Sequence, residues 1–133
     1  MKFSVLISLY HKEQLAYLEE CLDSLASQTL PASEIVMVFD GIIPEDLERI
    51  VKNFTEKLPL VVVRLPQNVG LGRALNEGLK HCSNEWVFRM DTDDICLPSR
   101  FEKQIDFISK NPDVVLLGDK LKNLTKQCLI LWV

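Results

Sequence analysis

Runs of apolar residues alternate along this chain with segments in which apolar residues recur every three or four positions. The runs are short and almost continuously apolar, which is typical of strands covered on both faces. They span residues 3–9, 34–40, 60–65, 85–90 and 114–117. The segments between them have helical spacing, and the connections are short. This alternation predicts an α/β fold with a mainly parallel sheet and helices on both faces.

Prolines mark the ends of the predicted helices. The first helix is expected over about residues 13–28, because Pro31 cannot continue it. Pro44 stands where the second helix should begin, with acidic residues in the first turn. Pro98 is expected to open the fourth helix, and the pair at 111–112 stops it. The third helix follows a glycine-containing loop.

That loop covers residues 67–73 and contains two glycines. It is not a dinucleotide fingerprint, because Leu75 occupies the place of the third glycine. Gly70 and Gly72 nevertheless allow a close backbone approach, and the start of a helix favours an anion. The alternative is an ordinary strand-to-helix turn.

Three aspartates crowd the loop after the fourth strand: Asp91, Asp93 and Asp94. Like charges this close repel and raise one another's pKa, so a bound cation would relieve them. In an extended chain, residues two apart point to the same side, so Asp91 and Asp93 are expected to face one point and Asp94 to face away. Hard oxygen ligands suit Mg²⁺ or Mn²⁺. The alternative is an acidic turn whose aspartate caps the next helix.

Polar side chains stand at or just after the ends of several predicted strands. The carboxyl ends of parallel strands meet at one edge of a sheet, where ligands of α/β proteins bind. The residues expected at that edge are Ser8, Tyr10, Asp40, Asn68, Arg73, Asp91 and Asp93.

Composition narrows the class of protein. A chain of 133 residues predicts one domain, and a net charge of −4 without a basic tract gives no support to nucleic-acid binding. The four cysteines are widely spaced, so neither a zinc site nor a disulfide framework is indicated, and a reduced cytoplasm is the expected location. The apolar start of the chain is interrupted by Lys2 and Ser4, which indicates a first strand and not a signal peptide. No apolar run approaches the roughly 20 residues of a membrane span.

Five segments in this order resemble the nucleotide-sugar half of family 2 glycosyltransferases, which have the Rossmann-like GT-A fold. They are VLISLY at 5–10, LDSLASQT at 22–29, EIVMVFDG at 34–41, NVGLGRALN at 68–76 and RMDTDD at 89–94. Pro98-x-Arg100 follows the last of them, which contains the D-x-D motif. Within the family, the chain resembles bacterial transferases of surface-polysaccharide synthesis of the amylovoran type.

The resemblance implies roles for the residues around the nucleoside. Tyr10 would stack on or flank the base with Ser8 beside it, and Asp40 would accept a hydrogen bond from uracil N3–H. Arg73 would reach the nucleotide from the third loop. Each residue also has a structural alternative. Tyr10 would cap the core, Asp40 would only fix the turn that it begins, and Arg73 would pair with Glu77.

The resemblance also implies a metal and a reaction. Asp91 would bind ribose or a metal-bound water, and Asp93 would ligate the Mn²⁺ or Mg²⁺ that bridges the diphosphate of a nucleotide-diphosphate sugar, a UDP-sugar by preference. The implied reaction is inverting transfer of the sugar to a saccharide or lipid-linked acceptor in polysaccharide biosynthesis.

The match covers about residues 3–118, so residues 1–118 are predicted to form the nucleotide-sugar-binding domain and residues 119–133 a tail outside the resemblance. The tail has helical spacing, and residues 128–133 are equally compatible with an edge strand. No residue after Asp94 is placed as the general base, so a truncated chain with little or no transfer activity is expected. Apolar residues 129–132 suggest self-association, and peripheral membrane contact is a further expectation. The rival interpretation is a catalytically inactive nucleotide-binding or interaction module.

Overall fold

The computed structural model describes residues 1–111 and the backbone of residues 128–129. Strands and helices alternate as predicted, which confirms the α/β class. None of the helices within these residues is long and apolar enough to cross a membrane. The elements are β1 Phe3–Leu9, α1 Leu15–Ala26, β2 Glu34–Phe39, α2 Glu45–Asn53, β3 Leu60–Arg64, α3 Leu71–Leu79, β4 Trp86–Asp91, α4 Arg100–Lys110 and β5 Cys128–Leu129.

The strands form one parallel sheet in the order β3-β2-β1-β4-β5. The chain first moves outward from β1 to β3 and then returns to place β4 on the other side of β1. Such a reversal leaves a crevice beyond the carboxyl ends of the two central strands, which is the usual ligand position in open α/β sheets. Ser8 of β1 lies opposite Asp91 of β4 in the register. Two of the predicted site residues are therefore neighbours in the sheet.

Helices cover both faces of the sheet, because the central strands are apolar on both sides. Val5, Ile7 and Leu9 of β1 face the larger core, to which α1, α2 and α4 contribute. Leu6 of β1 faces the smaller core beneath α3. In the larger core the ring of Phe3 lies 4.8 Å from that of Phe88 and 5.2 Å from that of Phe101. The described cysteine side chains, those at 21, 82 and 96, are buried.

Gly78 is the point of closest approach between α3 and the sheet. A Cβ added there would overlap the side chain of Val38 and lie 2.6 Å from Leu6 Cδ1. Both neighbours are fully buried, so neither has room to move aside. We expect Gly78→Ala to lower the free energy of unfolding by about 1–3 kcal/mol in urea denaturation. Gly72 on the same helix is the matched control, because nothing lies within 4 Å of its added Cβ. Gly72→Ala should raise stability by about 0.5–1 kcal/mol, and equal stability of the two variants would contradict the packing of α3.

Helix ends differ from the sequence prediction by one or two residues. Helix α1 begins at Leu15, and Pro44 is the N-cap of α2 instead of its first helical residue. Helix α4 begins at Arg100, not at Pro98, whose carbonyl oxygen accepts a hydrogen bond from the backbone N–H of Thr29 at 2.8 Å. This contact with the end of α1 holds the preceding loop out of the helix.

The predicted strand at 114–117 and most of the tail lie outside the described residues. Cys128–Leu129 is described, and it pairs in parallel with β4 at the edge of the sheet. The edge-strand interpretation of this part of the tail is therefore the one that agrees with the structure. The proposed boundary between residues 1–118 and 119–133 stays a prediction.

Candidate functional site

A cleft of about 530 Å³ lies beyond the carboxyl ends of β1, β2 and β4. It brings together five of the six residues to which the resemblance assigns a role, namely Ser8, Tyr10, Asp40, Asp91 and Asp93, whereas Arg73 is not among its lining residues. The remaining lining residues are Lys12, Glu13, Gln14, Tyr17, Asn68, Gly70, Leu71 and Thr92.

The loop after β1 forms one wall of the cleft. Ser8 is half-buried at the end of the strand, and Tyr10 follows it with 44% of its surface exposed. The ring of Tyr10 makes an edge contact with His11, with the centroids 5.9 Å apart. A ring this exposed does not cap the core, so the structural alternative given for Tyr10 is wrong. An aromatic ring this exposed can stack on a planar ligand.

Asp40, at the end of β2, is 3% exposed and binds the neighbouring loop. Its Oδ1 accepts the backbone N–H of Val69 at 2.7 Å, and its Oδ2 accepts that of Gly70 at 3.1 Å. Its own carbonyl oxygen accepts a hydrogen bond from Asn68 Nδ2 at 3.2 Å. The carboxylate thus ties β2 to the loop that begins α3, which is more than fixing its own turn.

Gly41 permits this arrangement. Its φ is 92°, in the left-handed region, and an added Cβ would lie 2.8 Å from the backbone nitrogen of Asn68. A side chain at this position would be strained and would push the two loops apart. The Asp40-Gly41 pair therefore serves both the turn and the approach of the loops.

Arg73 lies in the first turn of α3 and is exposed. Glu77, its predicted partner in the structural alternative, pairs instead with Lys80 at 2.9 Å. Within residues 1–111 no hydrogen bond or ion pair is seen for the Arg73 side chain. Arg73 therefore stands beside the cleft, one turn away from the lining residues Gly70 and Leu71.

The acidic motif forms a closed turn. The backbone N–H of Asp94 donates to the carbonyl oxygen of Asp91 at 3.0 Å, and the backbone N–H of Asp91 donates to the Asp94 carboxylate at 3.2 Å. The expectation that Asp94 faces away was wrong, because the chain turns after Asp91 and does not stay extended. Carboxylate oxygens of Asp91, Asp93 and Asp94 lie within 4.8 Å of one another. Asp94 is not the cap of α4 either, since that residue is Ser99.

The electrostatics of the turn favour a cation. Burial raises the pKa of Asp91 above its usual range, and the neighbouring Asp94 and Asp93 raise it further. Arg89, whose Nη2 lies 3.4 Å from Asp91 Oδ1, acts in the opposite direction. The ionised form of Asp91 is therefore disfavoured as the site stands, and a bound positive charge would favour it. A set of converging carboxylate oxygens fits Mn²⁺ or Mg²⁺.

Helix α1 and the residues just after it hold the far side of the acidic loop through buried polar side chains. Ser24 Oγ accepts the backbone N–H of Cys96 at 3.0 Å. Gln28 Nε2 donates to the carbonyl oxygen of Leu97 at 2.7 Å, and its Oε1 accepts the backbone N–H of Phe101 at 3.2 Å. No role was predicted for these residues from the sequence. The available signal was a serine and a glutamine among the buried positions of an amphipathic helix.

Glu13 and Thr92 were also missed. Thr92, the middle residue of the D-x-D motif, is 4% exposed, and its hydroxyl donates a hydrogen bond to the Glu13 carboxylate. Lys12 and Tyr17 line the same wall of the cleft from either side of Glu13 along the chain. No pattern in the sequence pairs position 13 with position 92, so no signal was available for this contact.

The chain is similar to bacterial glycosyltransferases over most of its length. It is 57% identical over 116 residues to the amylovoran biosynthesis glycosyltransferase AmsE of Erwinia amylovora, covering 87% of this chain and 44% of that protein. It is 38% identical over 117 residues to the UDP-Gal:alpha-D-GlcNAc-diphosphoundecaprenol beta-1,3-galactosyltransferase of Escherichia coli, covering 88% of this chain and 42% of that protein. The chain thus spans less than half the length of these relatives.

A solved structure shares the fold and the sequence family. Staphylococcus aureus TarS 1-349 in complex with UDP-GlcNAc superposes with a TM-score of 0.78 at 35% identity, covering 88% of this chain and 34% of that chain. The sequence profile of the family described as Glycosyl transferase family 2 matches residues 4–123. With its parallel sheet, its cleft at the strand ends and its D-x-D turn, this chain belongs to glycosyl transferase family 2 and has the GT-A fold.

Proposed function

We propose that this chain binds the sugar donor in a glycosyltransferase of polysaccharide biosynthesis, with a UDP-sugar as the donor. The observation that carries the proposal is the cleft, which places an exposed tyrosine and two acidic loops at the reversal point of a parallel sheet. The named relatives support the donor class: one uses UDP-Gal, and TarS forms a complex with UDP-GlcNAc. One relative takes part in amylovoran biosynthesis, and another acts on a sugar linked to diphosphoundecaprenol.

The nucleoside would lie against the loop after β1. The exposed ring of Tyr10 offers a stacking face for the base, with the Ser8 hydroxyl beside it. Asp40 uses one lone pair of each oxygen for the loop amides, and a carboxylate has about four such sites. It therefore has capacity left to accept a hydrogen bond from uracil N3–H. Arg73 would approach the nucleotide from the rim of the cleft.

Asp91 and Asp93 would hold Mn²⁺ or Mg²⁺ next to the diphosphate, while Asp94 closes the turn that presents them. The chemistry that the metal supplies is stabilisation of negative charge on the departing diphosphate. The part of this chain would be to fix the carboxylates in place and to half-bury Asp91, so that a bound cation favours its ionised form, which Arg89 already favours in part.

Inverting transfer needs a base that removes the proton of the acceptor hydroxyl. We assign that role to none of residues 1–111, so the prediction that this chain alone transfers little sugar stands as a proposal. The saccharide or lipid-linked acceptor, self-association, peripheral membrane contact and a cytoplasmic location are proposals of the same kind. Exposed apolar side chains that follow the cleft residues along the chain, Ile42, Ile95 and Leu97, support contact with a further surface.

Calorimetric titration of the chain with UDP and with GDP, each with and without Mn²⁺, tests the proposal. We expect UDP to bind more tightly than GDP, as for the named relatives with uridine-diphosphate donors, and Mn²⁺ to strengthen the binding of both. UMP is the matched control ligand, since it retains the base and lacks the diphosphate. No binding of UDP or GDP at millimolar concentration would favour the rival, an interaction module that retains the fold.

A further inference from the structure

The hydrogen bond between Thr92 and Glu13 joins two loops that line the cleft. Thr92 stands between the two proposed metal ligands, Asp91 and Asp93. Glu13 follows β1 and belongs to the loop that carries Tyr10. The contact spans 79 residues of sequence and brings the metal side of the cleft to the nucleoside side.

Glu13 is itself fixed in its loop. Its Oε1 accepts the backbone N–H of Gln14 at 2.9 Å, and its own backbone N–H donates to the carbonyl oxygen of Tyr10 at 3.3 Å. This leaves Oε2 for the Thr92 hydroxyl. A carboxylate anchored at one oxygen presents the other in a defined place, so it acts as a rigid acceptor and not as a flexible surface acid.

Among the described residues, few other side-chain contacts join the D-x-D turn to the loop of Tyr10. Asp94 closes the turn on itself, and Arg89, which lies near Asp91, belongs to the same strand. Cys21 of α1 donates to the carbonyl oxygen of Asp91 at 3.6 Å, a weak contact for a thiol. Among the described residues, the buried hydroxyl of Thr92 therefore makes the strongest side-chain contact between the turn and the loop of Tyr10.

We propose that Glu13 and Thr92 are a positioning pair, whose hydrogen bond holds the D-x-D turn against the nucleoside loop so that metal and nucleotide bind together. The inference rests on the proposed function. Neither residue needs to touch the metal, because the pair acts by orienting Asp91 and Asp93. Mutation of residues that orient metal ligands without touching the metal typically lowers metal affinity or activity by on the order of 10- to 100-fold.

Thr92→Val removes the hydroxyl and keeps the shape of the buried side chain. We expect calorimetry of UDP binding to show that the enhancement by Mn²⁺ falls about 10-fold in Thr92→Val, a larger loss than that of UDP affinity in EDTA. Thr92→Ser restores the hydroxyl and should restore the enhancement. Thr29→Val is the matched control, because the Thr29 hydroxyl also donates to a glutamate, Glu102, at 2.7 Å on an exposed surface. It should leave the enhancement unchanged.

A double-variant cycle separates the pair from two independent effects. If the two residues act through one hydrogen bond, Glu13→Ala combined with Thr92→Val should weaken the Mn²⁺ enhancement no more than Glu13→Ala does. Full additivity would overturn the proposal, as would an unchanged enhancement in Thr92→Val. Either result would leave the proposed function standing, provided that the wild-type chain binds UDP more tightly with Mn²⁺.

Hydrogen exchange tests the pair without any ligand. The amide of Asp94, which is bonded to the carbonyl oxygen of Asp91, should exchange faster in Thr92→Val than in wild type or Thr29→Val. If the wild-type chain showed no Mn²⁺-dependent binding, the proposed function would fail, and this measurement would still judge the contact. Equal exchange in Thr92→Val and wild type would overturn the positioning role.

Discussion

Asp93→Asn is expected to make UDP affinity the same with Mn²⁺ as without it. Asp93 is exposed at the cleft, with its carboxylate within 4.8 Å of those of Asp91 and Asp94. The amide keeps the size of the side chain but loses the charge, and a hard cation prefers carboxylate oxygen. Loss of a residue that only orients a metal ligand typically lowers metal affinity by roughly 10-fold or more. Loss of a direct ligand should lower it by at least as much. Calorimetric titration of UDP in Mn²⁺ and in EDTA measures the effect.

Two further variants make this prediction specific. Asp23→Asn removes the same charge from an exposed position on α1 and should leave the Mn²⁺ dependence intact. Asp94→Asn should reduce the Mn²⁺ dependence of UDP affinity less than Asp93→Asn does. The reason is that an amide oxygen at position 94 can still accept the backbone N–H of Asp91. If Asp93→Asn binds UDP as tightly as wild type in Mn²⁺, the assignment of the metal to this turn is wrong.

Asp40→Ala is expected to lower the free energy of unfolding by roughly 3 kcal/mol, since it removes a charged acceptor from two part-buried hydrogen bonds. It should also lower the affinity for UDP more than the affinity for free diphosphate, because the proposed contact is with the base. Urea denaturation and calorimetric titration of the two ligands measure these effects. Both follow from one carboxylate that supports a loop and faces the cleft.

Asp46→Ala is the matched control for stability. The Asp46 carboxylate also accepts a backbone N–H, that of Leu47 at 2.8 Å, but it is exposed in the first turn of α2. Its loss should cost only about 0.5–1 kcal/mol. Equal weakening of UDP and diphosphate by Asp40→Ala would assign Asp40 to the support of the fold alone. Unchanged stability would show that the two amide contacts contribute nothing.

The amino-acid sequence alone predicts the α/β class of the fold and the edge of the sheet at which the site lies. Strands such as β1 and β2 are apolar on both faces, and only a sheet covered on both sides buries such segments. Right-handed crossovers then leave few topologies, and all of them place the carboxyl ends of the strands together. For this reason the sequence predicts Tyr10, Asp40 and Asp91 at one edge of the sheet.

The hydrogen-bond partners of the polar groups at that edge depend on the tertiary structure. The Asp40 carboxylate binds the amides of Val69 and Gly70, and Thr92 binds Glu13. These partners are at least 29 residues apart in sequence, so no local pattern reports them. The start of α4 was misplaced for the same reason, because the end of α1 holds the preceding loop.

The acidic motif shows where local reasoning fails. Alternation in an extended chain predicted that Asp94 faces away, yet the turn after Asp91 returns the Asp94 carboxylate to the backbone N–H of Asp91. Periodicity describes a segment only while its backbone stays regular, and the strand ends at Asp91. The residue types at the site were therefore readable from the sequence. Their partners were decided by contacts between loops that only the folded sheet brings together.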